Sequence, residues 1–236
     1  MQAILLNSGQ GTRMGTLTAD KPKCLVELNR GETILYRQVK ALTEQGIDEI
    51  VVTTGPFAEK IDEYLKTHFK GVNFKLVYNS RYEETNYIYS MYLAADNISA
   101  DVILMHGDLV FDYRLLTGIL SSGYENTVLV NPDMKLPVKD FKGLIKDGLV
   151  RQIGVNLLGE NCYFLMPMYR LDEGTFNKWL DEIGKFIAAG KEKVYAEEAL
   201  NQILNEVALY PFYYRDEVCF EIDDTDDLKK VKELIS

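Results

Sequence analysis

Ala3-Ile4-Leu5-Leu6-Asn7-Ser8-Gly9-Gln10-Gly11-Thr12-Arg13 stands at the head of the chain, and its reading decides the fold. Four apolar residues run into a loop with two glycines, as a buried parallel strand does where it meets a ligand-binding turn. Glycines at 9 and 11 let the backbone approach a phosphate and turn its amides toward it. Arg13 adds a two-pronged phosphate clamp. Two familiar phosphate loops do not fit. A dinucleotide fingerprint needs glycine at 14, where Met14 stands and Gly15 comes one place late, and a P-loop needs Gly-Lys-Ser/Thr at its end. On these residues alone, an ordinary strand–helix turn remains the alternative.

Outward from that loop, strand and helix patterns alternate. Thr33 to Gln45 sets Ile34, Leu35, Val39 and Leu42 on one helical face, and Gly46 stops it. Glu49 to Thr53 reads as a strand. Gly55-Pro56 predicts a helix with proline at its first position and Phe57, Ile61, Tyr64 and Leu65 as its apolar stripe. Asn73 to Tyr78 is a third strand, and Asn86 N-caps a helix carrying Ile88, Met91, Tyr92 and Ala95. Asp101 to Met105 is a fourth strand, ending at His106-Gly107-Asp108. This repetition predicts a parallel α/β sheet.

Beyond about residue 110 the rhythm changes. Phe141 to Lys146 and Leu149 to Ile153 flank Asp147-Gly148, a two-residue hairpin turn. Asn161 to Tyr169 reads as a strand, Gly174 to Ala189 and Tyr195 to Asn205 as helices. Ala208 to Tyr213 and Val218 to Ile222 read as strands, and Asp224 to Ile235 as a closing helix. No repeat and no Ser/Gly/Pro-rich linker interrupts the chain. The prediction is one α/β domain over residues 1–236, with a mixed, mostly parallel sheet flanked by helices and a small inserted β-hairpin region at about 126–170.

Composition narrows the function. Apolar residues make up 47% and charged residues 26% of the 236, enough to build a core. With 26 Lys plus Arg against 36 Asp plus Glu, the net charge of −10 disfavours nucleic acid and anionic lipid as partners. No apolar run reaches the ~18 residues of a membrane span. Met1 to Leu6 lacks the basic start of a signal peptide, so a cytoplasmic protein is expected. Cys24, Cys162 and Cys219 are widely spaced and read as reduced thiols.

A second stretch, Asp20-Lys21-Pro22-Lys23-Cys24-Leu25-Val26-Glu27, places Lys23 ten residues after Arg13. Pro22 fixes the backbone between two lysines, so they diverge and Lys23 can reach the same phosphate. The two stretches in this order and spacing resemble the N-terminal signature of the sugar-nucleotidyltransferase superfamily. The resemblance implies a Rossmann-like nucleotide-binding domain over nearly the whole chain. It also implies nucleotidyl transfer from an NTP to an acceptor phosphate, with pyrophosphate released and Mg²⁺ required. Where that family often has two alanines before the first loop glycine, this chain has Asn7-Ser8.

Asn79 to Leu93 is similar to the N-x-x-Y-x-x-x-N-x-x-S pattern of the small cytidylyltransferases that activate phosphocholine and related phospho- or phosphono-compounds. That likeness implies CTP as donor, with Asn86 and Ser90 holding base or ribose and Asn79 and Thr85 close by. Amides and hydroxyls suit the donor–acceptor edge of a pyrimidine. The expected nucleotide site therefore joins Leu6, Ser8, Gly9, Gly11, Thr12, Arg13 and Lys23 to Asn79, Thr85, Asn86 and Ser90.

Asp108 and Asp223 each follow a short apolar strand. In isolation an acid at a strand end is a helix cap, but two carboxylates at neighbouring strand ends also suit Mg²⁺. The resemblance puts the family's two metal aspartates on these positions, and makes Arg13, Lys23, Asp108 and Asp223 the catalytic set. Asp224, Asp226 and Asp227 read as first-turn acids of the last helix. For the acceptor, Glu197 and Glu198 stand where the resembling phosphocholine enzymes carry aromatics; they read either as a solvated helix start or as a carboxylate pocket for a primary ammonium, and the second favours 2-aminoethylphosphonate over phosphocholine, whose quaternary nitrogen wants an aromatic cage. Tyr163 and Tyr195 are candidate aromatic walls, and Lys135, Lys139 or Lys142 a clamp for the phosphonate. Trp179 reads as packing, His68 as surface, and His106 as a neighbour that shapes the site. The expected partners are CTP and a small phosphonate or phosphate acceptor; monomer and homodimer are both left open.

Overall fold

A computed structural model describes residues 1–29 and 31–235. In chain order the elements are β1 (Gln2–Asn7), α1 (Ile34–Glu44), β2 (Glu49–Thr54), α2 (Ala58–His68), β3 (Asn73–Tyr78), α3 (Tyr87–Ala94), β4 (Val102–His106) and β5 (Leu109–Phe111). They continue with α4 (Tyr113–Leu120), β6 (Thr127–Asn131), β7 (Lys142–Lys146), β8 (Leu149–Gly154) and β9 (Cys162–Leu171). The chain closes with α5 (Glu173–Ala188), α6 (Ala196–Ile203), β10 (Tyr210–Tyr213), β11 (Cys219–Glu221) and α7 (Thr225–Leu234). Short 3-10 turns at Thr12–Thr18 and Lys23–Leu25 carry the two motifs that opened the reading.

The main sheet runs β10-β6-β9-β4-β1-β2-β3. β1 pairs parallel with β2 and β4, β2 with β3, and β10 with β6, while β9 lies antiparallel to both β4 and β6. β1 is buried along its whole length because helices cover both faces, which is why it reads as an unbroken apolar run. Alternate residues serve opposite cores: Ile4 and Leu6 face α3, α5 and α6, whereas Ala3 and Leu5 face α1, α2 and α4. Trp179 lies fully buried in α5 and donates from Nε1 to the Ala196 carbonyl at 2.9 Å, fixing the start of α6. No helix among the described residues is long and apolar enough to cross a membrane.

The mixed, mostly parallel sheet flanked by helices matches the expected fold class. Thr33 caps α1 and accepts from Tyr36 N, Asn86 caps α3 and accepts from Tyr87 N, and Asp224 caps α7 in a full capping box. One helix start differs. α2 begins at Ala58 after Phe57 in a left-handed conformation (φ 60°), so Pro56 lies in the preceding turn rather than at the first helical position. A Cβ on Gly55 would sit 2.2 Å from the Ser8 carbonyl oxygen, so the chain must first cross tightly against the β1 loop. No expectation covered β5, α4 or β6. Of the stretch 126–170, β6 and most of β9 belong to the main row of strands. The β7–β8 hairpin stands off that row, held to β9 through β7.

Candidate active site

The loop after β1 and the turn at Lys23 are joined by a glycine. Gly11 sits at φ 67°, and a Cβ there would lie 3.1 Å from Lys23 Cβ and 3.3 Å from Thr18 Cγ2. Thr18 Oγ1 donates to the Gly11 carbonyl at 2.9 Å and closes the loop. The two motifs therefore pack as one unit at the C-terminal end of β1, where ligands of open α/β sheets bind.

A cavity of about 410 Å³ opens there. Lys23 Nζ lies 2.5 Å from Asp108 Oδ2, just beyond β4, and 3.5 Å from Asp223 Oδ1, just beyond β11. Arg13 grips Asp223 with both terminal nitrogens, each at 2.7 Å. These four residues, remote in sequence, meet because β1 and β4 are neighbours in the sheet and β11 pairs with β5 immediately after Asp108. Burial works against the charge on Lys23, but Asp108 and then Asp223 outweigh it and raise its pKa. Burial likewise opposes the Asp108 carboxylate, and the Lys23 and His106 charges pull it below its ordinary value.

Glu221 completes the group. In Glu221-Ile222-Asp223 the acids are two apart, the strand spacing that puts both on one face. His106 Nδ1 donates to Glu221 Oε1 at 2.8 Å. Burial lowers the imidazole, but the hydrogen bond and charge of Glu221 dominate and raise it to about 9, so it is protonated at neutral pH. Ligand atoms of His106, Asp108 and Glu221 all lie within 4.8 Å of one another. Asp108 Oδ1 is buried without a hydrogen-bond partner. A hard-oxygen set with one unsatisfied carboxylate oxygen fits a divalent cation of the Mg²⁺ type.

An aromatic wall adjoins this group and includes His106. Ring centroids run His106–Tyr87 4.7 Å, Tyr87–Tyr195 6.1 Å, Tyr195–Phe141 5.1 Å and Phe141–His106 6.5 Å, a closed circuit of four rings. All four line the cavity, together with Tyr82, Asp140 and Val155. The sequence reading named Tyr195 as a wall and His106 as a neighbour of the site; Tyr82, Tyr87, Phe141, Asp140 and the role of Glu221 escaped it. The period-two spacing of Glu221 and Asp223 was the one signal that could have found any of them.

Of the residues singled out from the sequence, Leu6, Gly9, Gly11, Thr12, Arg13, Lys23, Asn86, Asp108, Lys139 and Asp223 line the cavity. Others stand behind it. Ser8 Oγ donates to Thr53 Oγ1 at 2.9 Å. Asn79 Nδ2 donates to Thr85 Oγ1 at 3.1 Å and Ser90 Oγ at 3.0 Å, so these three bond to one another and brace the segment that presents Tyr82 and Asn86. Tyr163 is half-buried with its ring 6.5 Å from Tyr213, outside the cavity. Lys142 is buried, donating to the Val138 and Val155 carbonyls, and so ties the loop before β7 to the end of β8 rather than clamping a ligand. Lys135 lines a second, adjoining cavity, which shares Lys139 with the first.

Glu197 and Glu198 form no joint pocket. Adjacent helical positions point about 100° apart, so in the first turn of α6 one faces in and the other out. Glu197 is 1% exposed and accepts from the hydroxyls of Tyr87 and Tyr169, whereas Glu198 faces solvent.

Known proteins resemble this chain. Over 100% of its own length and 98% of the relative's, the chain is 27% identical to choline-phosphate cytidylyltransferase of Streptococcus pneumoniae. It is 27% identical to the Haemophilus influenzae choline-phosphate cytidylyltransferase, covering 96% and 94% of the two chains. The CTP:phosphoglutamine cytidylyltransferase of Campylobacter jejuni is 30% identical over 62% of this chain and 59% of that one. Among solved structures, the S. pneumoniae CTP:phosphocholine cytidylyltransferase superposes with a TM-score of 0.82 at 24% identity, covering 100% and 99% of the chains. The T. maritima inositol-1-phosphate CTP transferase gives 0.82 at 22% identity, covering 99% and 94%. These likenesses show the same fold. Residues 3–153, which hold β1, the glycine loop, Lys23 and Asp108, match the family described as the MobA-like NTP transferase domain, and the chain belongs to that family of nucleotidyltransferases.

Proposed function

We propose that this enzyme is a Mg²⁺-dependent cytidylyltransferase that moves CMP from CTP to a small phosphate- or phosphonate-bearing acceptor with a cationic nitrogen. The carrying observation is one cavity lined both by Arg13, Lys23, Asp108 and Asp223 and by the rings of Tyr87, Tyr195 and Phe141, with His106 touching both groups. Backbone amides of the Gly9–Arg13 loop receive the triphosphate. Arg13 and Lys23 neutralise its charge, exchanging their carboxylates for phosphate oxygens. An acceptor oxygen forms a bond to the α-phosphorus while the α–β bridging bond breaks, and pyrophosphate leaves with that electron pair. The acceptor oxygen is already ionised near neutral pH, so no general base is needed. Asp108, Asp223 and Glu221 are the residues that would hold the divalent cation, which when bound stabilises charge on the phosphate oxygens. The protein's share is positioning and preorganised charge.

The uncharged rings of Tyr87, Tyr195 and Phe141 favour phosphocholine as acceptor, because their faces attract a quaternary ammonium that cannot donate hydrogen bonds. Full-length similarity to two choline-phosphate cytidylyltransferases supports the same choice. A second reading, 2-aminoethylphosphonate, no longer rests on Glu197 and Glu198. It is favoured by Asp140, a carboxylate in the cavity lining able to accept from a primary ammonium.

Pyrophosphate release tests this with Mg²⁺ and CTP against phosphocholine, 2-aminoethylphosphonate and a sugar 1-phosphate, with UTP in a parallel set. Phosphocholine is expected to give the highest kcat/KM. A clear preference for the phosphonate selects the second reading. Turnover only with UTP or a sugar phosphate overturns the proposal.

A further inference from the structure

Glu197 is a buried carboxylate that the transfer itself does not use. Its Oε1 accepts from Tyr169 OH at 3.0 Å and its Oε2 from Tyr87 OH. It is absent from the cavity lining, yet the Tyr87 ring in front of it is one of the four rings. The start of α6 is pinned from two sides. Trp179 Nε1 donates to the Ala196 carbonyl at 2.9 Å, and Asn86 N donates to the Glu192 carbonyl at 2.7 Å. The stretch Tyr195-Ala196-Glu197 thus supplies one ring of the circuit and the carboxylate behind another.

We infer that Glu197 is a positioning residue that selects a cationic acceptor through Tyr87, an inference that rests on the proposed cytidylyl transfer to such an acceptor. Two effects act together. The hydrogen bond commits the Tyr87 hydroxyl to Glu197, so the residue meets a ligand with its ring rather than its oxygen. The carboxylate also places negative charge against the phenol, raises the electron density of the ring, and strengthens its attraction for a cation. Burial first, and then the Glu197 charge, push the Tyr87 phenol well above its usual range, so it stays a proton donor in this pair. The position of Glu197 in the first turn of α6 lets the helix dipole favour its charge.

The test uses the full chain with Mg²⁺, CTP and two acceptors: phosphocholine, and 3,3-dimethylbutyl phosphate, its uncharged isostere. Glu197→Gln keeps the size and can still bond both tyrosines, but removes the charge. The KM for phosphocholine should rise about 3- to 30-fold, with the KM for the isostere and for CTP, and kcat, moving less than twofold. Tyr87→Phe should produce the same loss of discrimination, and the double variant no more. Tyr169→Phe removes the other bond to Glu197 away from the cavity and should leave the ratio of the two KM values in place, whatever it does to the melting temperature. An equal rise for both acceptors makes Glu197 structural and overturns the inference, as does an unchanged ratio in Glu197→Gln. Failure of the wild-type enzyme to use phosphocholine or 2-aminoethylphosphonate at all is a separate result. It overturns the proposed function and this inference with it.

Discussion

Lys23→Met probes the electrostatics of the site most directly. Lys23 Nζ stands 2.5 Å from Asp108 and 3.5 Å from Asp223, with side-chain exposures of 17%, 18% and 27%. Unit charges 4 Å apart attract by about 4 kcal/mol at an effective dielectric constant of ~20, and desolvation returns much of that. Removing one partner of a fully buried pair costs about 3–5 kcal/mol. Here Asp223 keeps its two bonds from Arg13, and the charged His106 still favours the Asp108 carboxylate. The expected loss is therefore about 2–3 kcal/mol of folding stability, or roughly 5–10 °C in Tm. The kinetic loss should be larger, since removing one preorganised charge that faces the transition state costs about 10²–10³-fold in kcat. Without the lysine, Asp108, Asp223 and Glu221 have less positive charge among them, so Mg²⁺ should raise the Tm of the variant more than that of wild type. Differential scanning fluorimetry with and without Mg²⁺, and pyrophosphate release, read both effects. A kcat/KM within threefold of wild type would refute the placement of Lys23 at the reacting phosphates.

Gly107→Ala puts a Cβ 2.0 Å from Asn7 Oδ1 and 2.6 Å from the Leu6 carbonyl oxygen, the latter a backbone atom that cannot swing away. A destabilisation of about 1–3 kcal/mol in urea is expected, with activity falling because His106 and Asp108 flank the site; wild-type stability would contradict the close approach. Asp172 caps α5, accepting from Thr175 N at 2.7 Å, Asn126 Nδ2 at 2.6 Å and Thr175 Oγ1 at 3.0 Å, so Asp172→Ala should cost about 1–2 kcal/mol at pH 7. Burial opposes the charge of Asp172, but these hydrogen bonds outweigh it and hold the carboxyl below its ordinary value. A lowered native pKa contributes fully above the unfolded value of about 3.9 and is lost as pH falls through the native value. The gap between wild type and variant should therefore be constant from pH 6 to 8 and shrink below about pH 4; a gap that widens in acid would show the wrong sign.

Much of the fold was legible because its elements announce themselves locally. β1 ends in glycines, Thr33 and Asn86 cap α1 and α3, and Asp147-Gly148 turns the β7–β8 hairpin. β5, α4 and β6 carry no expectation from the sequence; β5 spans only 3 residues, too few for a period to emerge, but α4 is as long as α3 and α6, which were read. The misplaced start of α2 has a tertiary cause, the crossing of Gly55 over Ser8.

The site divides in the same way. Arg13 and Lys23 stand in short motifs beside glycines and a proline, residue types that suit phosphate, whereas Asp108 and Asp223, which alone read as helix caps, are marked by the family resemblance. The aromatic wall has no such signature. Tyr87, Phe141, His106 and Tyr195 come from α3, the segment leading into β7, the end of β4 and the start of α6. Any tyrosine in a sequence can be core, surface or wall, and only packing distinguishes them. Two adjacent glutamates on one helix looked like a pocket, and helical geometry sent one beneath the aromatic wall and the other into water. The sequence by itself determined the α/β class, the glycine loop after β1 and the turn that carries Lys23, because local periodicity and motif chemistry suffice for those. The tertiary structure alone decided the aromatic wall, because it is assembled from segments up to about a hundred residues apart that meet only when the sheet and α6 are in place.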